Sequence, residues 1–149
     1  MILAEEFDRL IDALEREGLD YALAGGLAVA VWGAPRATKD IDLLVLPDQL
    51  AAVGRCARAC GFDIEADPMT FPDGMELRRL SKADGGDLLT LDLILVDATL
   101  AEVWGSRQRV STRRGELWVV SRGALIAMKA RAARPQDLYD IERLKDLDR

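Results

Sequence analysis

The sequence predicts an α+β fold, a mixed α/β sheet with helices packed on it, and three observations carry that prediction. Apolar residues recur at helical spacing near both ends of the chain. Short apolar runs bounded by turn residues lie between them. The two kinds of segment interleave with no repeat, low-complexity tract or linker. The 149 residues read as one domain, 1–149, long enough to bury a sizeable core.

Each element follows from local signals. Phe7, Leu10, Ile11 and Leu14 form a helical stripe, and Gly18 is placed to end that helix. Residues 21–24 read as a short strand and 26–32 as a short helix closed by Gly33, Ala34 and Pro35. A second strand follows over 40–46 and stops at Pro47. Asp48 is a good N-cap for a helix running to Cys60, with Gly61 as its stop. Residues 62–64 suggest another strand, followed by a turn-rich stretch through Pro68, Pro72 and Gly74. The runs 75–80 and 88–96 read as a hairpin reversing across 83–87, where Asp84 and Gly85 favour a turn. Asp97 can cap a short helix through Trp104, and 108–112 with 116–120 form a second hairpin. Ser121 opens a helix to about Ala133, and another follows Pro135 with Leu138, Ile141 and Leu144 as its apolar positions.

Composition limits the function. No apolar run approaches the roughly 20 residues that span a bilayer. The N-terminus carries acidic residues where a secretory signal would carry positive charge, so a cytoplasmic location is expected. Cys56 and Cys60 are the two cysteines and there is no histidine, which argues against a disulfide framework or a zinc site and for thiols used as packing. A net charge of −6 argues against a protein that coats nucleic acid through a general basic surface. Local basic clusters remain at Arg107, Arg109, Arg113 and Arg114 and at Lys129, Arg131 and Arg134; each is either solvated surface or a local anion-binding face.

The chemistry concentrates between Ala24 and Val45. Asp40 and Asp42 flank Ile41, so on a strand both carboxylates leave from one face, where two anionic oxygens can hold a hard divalent cation. Gly25 and Gly26 allow the main chain to approach a ligand that a Cβ would repel, and a polyphosphate is the ligand suggested. Farther on, Asp92 interrupts an otherwise apolar strand, where an unpaired carboxylate would be costly. If its strand lies beside that of Asp40 and Asp42, three carboxylates converge and require a cation. Magnesium suits a donor set made only of oxygen.

In order, Leu23 to Gly26, the triplet Asp40–Ile41–Asp42 and the later Asp92 match a family pattern. The chain resembles the DNA polymerase beta-like nucleotidyltransferase superfamily, and within it the minimal enzymes of the abortive-infection toxin type. The segment MKARAARPQDLYDIERL is similar to the lysine-arginine-aspartate helix segment near the end of many such domains. The resemblance covers roughly Tyr21 to Leu144.

The resemblance implies the nucleotidyltransferase fold and transfer of a nucleoside monophosphate from a nucleoside triphosphate to an acceptor hydroxyl, with pyrophosphate leaving. It implies Asp40, Asp42 and Asp92 as catalytic ligands of two Mg2+ ions, with Asp92 nearest the attacking oxygen, and Gly25 and Gly26 beside the phosphates. Lys129 matches the helix lysine that approaches the triphosphate, or is a surface lysine. Arg36, Thr38 and Lys39 either reach phosphate or form a polar strand entrance. Asp137 and Asp140 match terminal acidic positions, although Asp137 can equally cap its helix or pair with Arg134. RNA or a protein side chain is the expected acceptor, with the Arg107–Arg114 group guiding a nucleic acid, and a cognate toxin or antitoxin is the expected partner. The alternatives are an antibiotic-modifying nucleotidyltransferase and a non-catalytic nucleotide-binding or antitoxin-like module. The absence of histidine weighs against the first and the three intact aspartates against the second.

Overall fold

A computed structural model describes residues 1–35 and 37–147. In chain order the elements are α1 (Leu3–Arg16), β1 (Ala22–Ala24), α2 (Gly25–Val31), β2 (Asp40–Val45), α3 (Leu50–Ala59), β3 (Ile64–Glu65), β4 (Met69–Thr70), β5 (Glu76–Asp84), β6 (Asp87–Leu95), α4 (Ala101–Gly105), β7 (Gln108–Thr112), β8 (Gly115–Val119), α5 (Arg122–Ala132) and α6 (Pro135–Asp146). The strands form one mixed sheet in the order β3-β5-β6-β2-β1-β8-β7, with β4 also paired to β5. Strand β2 runs antiparallel to β1 and parallel to β6, and β1 runs parallel to β8. The expected mixed α/β architecture is the observed one.

Helix α1 forms as its stripe requires: Phe7, Leu10, Ile11 and Leu14 are buried, and Glu5 and Glu6 lie in its first turn, where the helix dipole favours negative charge. Glu6 accepts a 2.6 Å hydrogen bond from Lys82 of β5, whose ammonium also donates to the Cys60 carbonyl at the end of α3. Helices α1 and α3 therefore cover the sheet face that carries Lys82. In register on that face lie Leu80, Leu91 and Ile41, all essentially without solvent exposure. The alternation of the strands sends Asp40, Asp42 and Asp92 to the opposite face. One helix layer thus seals the core while the other face is free to build a site.

Four local expectations are corrected. Asp48 does not cap α3: Pro47–Gln49 form a 3-10 turn, and α3 begins at Leu50 behind Gln49, with no side-chain cap. Pro47 fixes the turn early, and the Gln49 amide instead accepts from the Asp20 N–H at 2.9 Å. The strand expected over 62–64 shortens and shifts to Ile64–Glu65, because the Phe62 N–H is spent on the Ala57 carbonyl at the end of α3, at 3.0 Å. Met69–Thr70 form a short strand within the turn-rich stretch. Leu138 is 52% exposed, because α6 instead buries Asp137 and Asp140 alongside Ile141 and Leu144. Cys56 and Cys60 are free thiols packed against the core, as expected. Among the described residues no helix is long and apolar enough to cross a membrane.

Candidate active site

Four strands place one residue each in a single row across the sheet. Ala24 of β1 pairs with Asp42 of β2, Asp42 with Asp92 of β6, and Asp92 with Arg79 of β5. Adjacent strands lie about 4.8 Å apart, so the two carboxylates stand side by side on one face. Asp92 is 6% exposed, and Arg79 grips it with both prongs of its guanidinium, Nε to Oδ1 at 2.8 Å and Nη2 to Oδ2 at 3.0 Å. That grip in turn raises the Arg79 pKa, against the lowering effect of burial.

Asp42 has no such balance. Burial, then the charges of Asp92 and Asp40, push its carboxyl up to about 6, against the opposing pull of Lys129 and Arg134. Asp40 begins β2 and is exposed, and its backbone N–H donates to the Thr38 hydroxyl at 3.2 Å. The Asp42 carboxylate lies directly on Gly25: a Cβ at that position would come within 2.0 Å of Asp42 Oδ2, and the Gly25 φ is +65°. Only glycine leaves room for the carboxylate there. Gly26 is buried in α2 behind it.

This row floors a cleft of about 610 Å³. Gly25, Asp42, Asp92, Arg79, Lys129 and Arg134 form its polar side, and Phe71, Met75, Leu77 and Met128 are among its apolar residues. Helix α5 and the junction before α6 supply the cations of its wall, Lys129, Arg131 and Arg134. Lys129 is 7% exposed and pairs with Asp140 at 3.0 Å and Asp137 at 3.6 Å, so it is not a surface lysine. Asp137 caps α6 by accepting from the Arg134 backbone N–H at 3.1 Å and from the Arg134 side chain at 2.7 Å. Burial pushes the Asp137 carboxyl up, but these bonds outweigh it and hold the group below the ordinary carboxylate range.

The fold therefore brings Gly25, Asp42, Asp92 and Lys129 into one cleft; Asp40 shares their strand face but lies outside the lining. The fold does not bring Thr38 or Lys39 to the cleft lining. Lys39 lies 3.7 Å from Asp87, at the far end of the β5–β6 hairpin. Arg36 falls outside the described residues. The Arg107–Arg114 group is largely committed elsewhere: Arg107 stacks on Trp104 and Trp118 at 4.3 and 4.4 Å, Arg109 bonds Glu15 at 2.7 Å, and Arg114 bonds Asp12 at 2.6 Å. None of the four lines the cleft.

Arg79, beside Asp92, is the site residue that the sequence reading misses, yet a signal for it exists. Asp84 and Asp87 close the two-residue turn at Gly85–Gly86, and five residues along each strand the antiparallel register sets Arg79 opposite Asp92. Among the described residues no three acidic, thiol or imidazole groups are arranged to hold a metal ion as they stand.

The model of the AbiEii family, described as a nucleotidyl transferase toxin of a type IV toxin–antitoxin system, matches residues 8–148. This chain belongs to the AbiEii family. It is accordingly a nucleotidyltransferase of the toxin type, the class that the glycine and aspartate pattern resembles. The AbiEii chain also shares its fold with solved nucleotidyltransferases. A protein from Thermotoga maritima assigned as a nucleotidyltransferase has 13% identity and a TM-score of 0.69, over 98% of this chain and 96% of its own. ANT(2")-Ia, solved in complex with adenylyl-2"-tobramycin, has 17% identity and a TM-score of 0.63, over 93% of this chain and 84% of its own. Among the curated proteins none matches the AbiEii chain significantly in sequence.

Proposed function

We propose that this AbiEii-family chain transfers a nucleoside monophosphate from a nucleoside triphosphate to an acceptor hydroxyl in RNA or protein, through a site built on Asp40, Asp42 and Asp92. The observation that carries this reading is the register of Asp42 with Asp92, which sets two carboxylates side by side on the floor of a cleft beside a bare glycine.

The residues fit a divalent metal by their chemistry. The donors are all carboxylate oxygens, and burial together with the charges of Asp92 and Asp40 penalises the ionised Asp42 until a cation arrives. Asp40, Asp42 and Asp92 would hold Mg2+ there, in the proposal as two ions. Bound Mg2+ supplies charge neutralisation for the entering and leaving oxygens. The acceptor oxygen forms a bond to the α-phosphorus, the bond from that phosphorus to the bridging oxygen breaks, and pyrophosphate leaves. The hydroxyl proton passes to the Asp92 carboxylate, which as a base must be ionised at that moment. Gly25, whose missing Cβ makes room for the Asp42 carboxylate, and Gly26 supply the main-chain N–H groups of the proposed phosphate-binding turn. Lys129, held by Asp137 and Asp140, presents positive charge to the triphosphate from the opposite wall. Thr38 and Lys39 stand outside the cleft lining, so the proposed phosphate contacts rest on the glycine turn and Lys129. The family supports a cognate antitoxin as the biological partner.

Incubation with each nucleoside triphosphate, labelled in parallel at the α- or the γ-phosphate, with total RNA or cell protein tests the reading. Label from the α-position should enter a macromolecule while γ-label appears in pyrophosphate, and only with Mg2+ present. Entry of γ-label into the acceptor would mean phosphate transfer instead.

A further inference from the structure

Asp92 is a buried carboxylate whose charge is balanced by an arginine of the neighbouring strand. Arg79 engages both Asp92 oxygens, at 2.8 and 3.0 Å, in the planar two-pronged geometry that suits guanidinium to carboxylate. The two members of the pair are unequally exposed. The Asp92 side chain is 9% exposed, whereas that of Arg79 is 45% exposed and lines the cleft. The aspartate is therefore fixed, and the guanidinium can leave it toward the cleft without disturbing the core.

The β5–β6 register keeps the Arg79 backbone directly opposite Asp92, so a released guanidinium remains within reach of whatever fills the cleft. A divalent cation and a guanidinium repel each other at one carboxylate. Occupancy of Asp92 by one disfavours the other.

Resting on the metal-site reading proposed above, we infer that Arg79 is a positioning residue that stands in for the divalent cation at Asp92 in the ligand-free protein and yields that place when metal and nucleotide enter together. Arg79 thereby keeps two neighbouring carboxylates in one row without a metal. It also makes the bare protein a poor metal binder. Nucleotide phosphates, as anions in the same cleft, offer the released guanidinium a new partner and so favour the exchange.

The test is Mn2+ titrated into the nucleotide-free full chain, with free Mn2+ read by electron paramagnetic resonance and folding checked by circular dichroism. Arg79→Gln should bind Mn2+ about tenfold more tightly than the native chain, the scale expected when a charged hydrogen-bonding competitor is removed. Arg79→Lys keeps the charge but loses the second prong, and should show a smaller gain. A merely structural arginine gives no gain, since its loss leaves the Asp92 side chain without its fixed position. Unchanged or weaker Mn2+ binding in the folded variants overturns the inference. Should Arg79→Gln fail to fold, Arg79→Lys decides by the same criterion. Mn2+ binding lost in Asp42→Asn but indifferent to Arg79 overturns this inference alone; Mn2+ binding indifferent to Asp42, Asp92 and Arg79 overturns the metal-site reading with it.

Discussion

Gly25 and Asp42 occupy one space: a Cβ on Gly25 would lie 2.0 Å from Asp42 Oδ2 and 2.7 Å from its Cγ. The glycine pair and the aspartate triplet, read in the sequence as separate motifs, are thus two halves of one contact. Gly25→Ala must move the carboxylate or the β1–α2 turn, and it also strains a residue at φ +65°. We expect a loss of about 1–3 kcal/mol in unfolding free energy, measured by urea titration, together with loss of transfer activity. Native stability in Gly25→Ala would show that the turn accommodates a side chain.

Asp42 gives stability a pH dependence of definite sign. Its folded pKa of about 6 lies above the 3.8 of an unperturbed aspartate, so the folded chain holds this proton more tightly than the unfolded chain. Between those values the unfolded state binds fewer protons, and the contribution of Asp42 to stability falls as pH rises from about 4 through 6. Asp42→Asn escapes this penalty. The variant should be more stable than the native chain by roughly 1–3 kcal/mol at pH 8 and about equal near pH 4, by denaturant unfolding without metal. A variant no more stable at pH 8 than the native chain would remove the claim that this carboxylate is electrostatically strained.

Lys129 balances two buried acids, Asp137 and Asp140, which are 1% and 0% exposed. Lys129→Met keeps the apolar bulk of the side chain and removes the charge. Leaving buried carboxylates without their cation should cost about 3 kcal/mol, seen as a lower urea midpoint with an unchanged slope. A midpoint within error of the native value would place these charges in solvent.

Arg107 is held between the rings of Trp104 and Trp118. Arg107→Ala should destabilise the fold by about 1 kcal/mol through lost stacking and stem packing, and quench or shift tryptophan fluorescence. RNA affinity, measured by filter binding, should remain as in the native chain, because this arginine is spent on the tryptophans rather than on the cleft. A large loss of RNA binding in a stable Arg107→Ala protein would restore the nucleic-acid role expected from the cluster.

Much of this arrangement was legible in the residue order because it depends on local rules. Period-two alternation places Asp40 and Asp42 on one face whatever the strand's neighbours are, and the α1 stripe buries Phe7 and Leu14 through helical spacing alone. The meeting of Asp42 with Asp92 needed a strand order that no local signal contains, and there the family resemblance supplied what periodicity could not. Other features are misplaced for tertiary reasons. Gln49 is drawn to Asp20, and α6 buries two aspartates where a leucine was expected inside. Arg109 and Arg114 look like a free basic cluster until α1 is seen to supply their acids.

The most direct measurement compares α-labelled nucleotide transfer by the native chain, Asp42→Asn and Asp92→Asn, each confirmed as folded, across matched Mg2+ concentrations. The account predicts Mg2+-dependent transfer by the native chain and a loss of at least about a thousandfold in both variants, the scale of removing a group that acts on the reacting atoms. Transfer at the native rate by a folded Asp42→Asn or Asp92→Asn protein would contradict it.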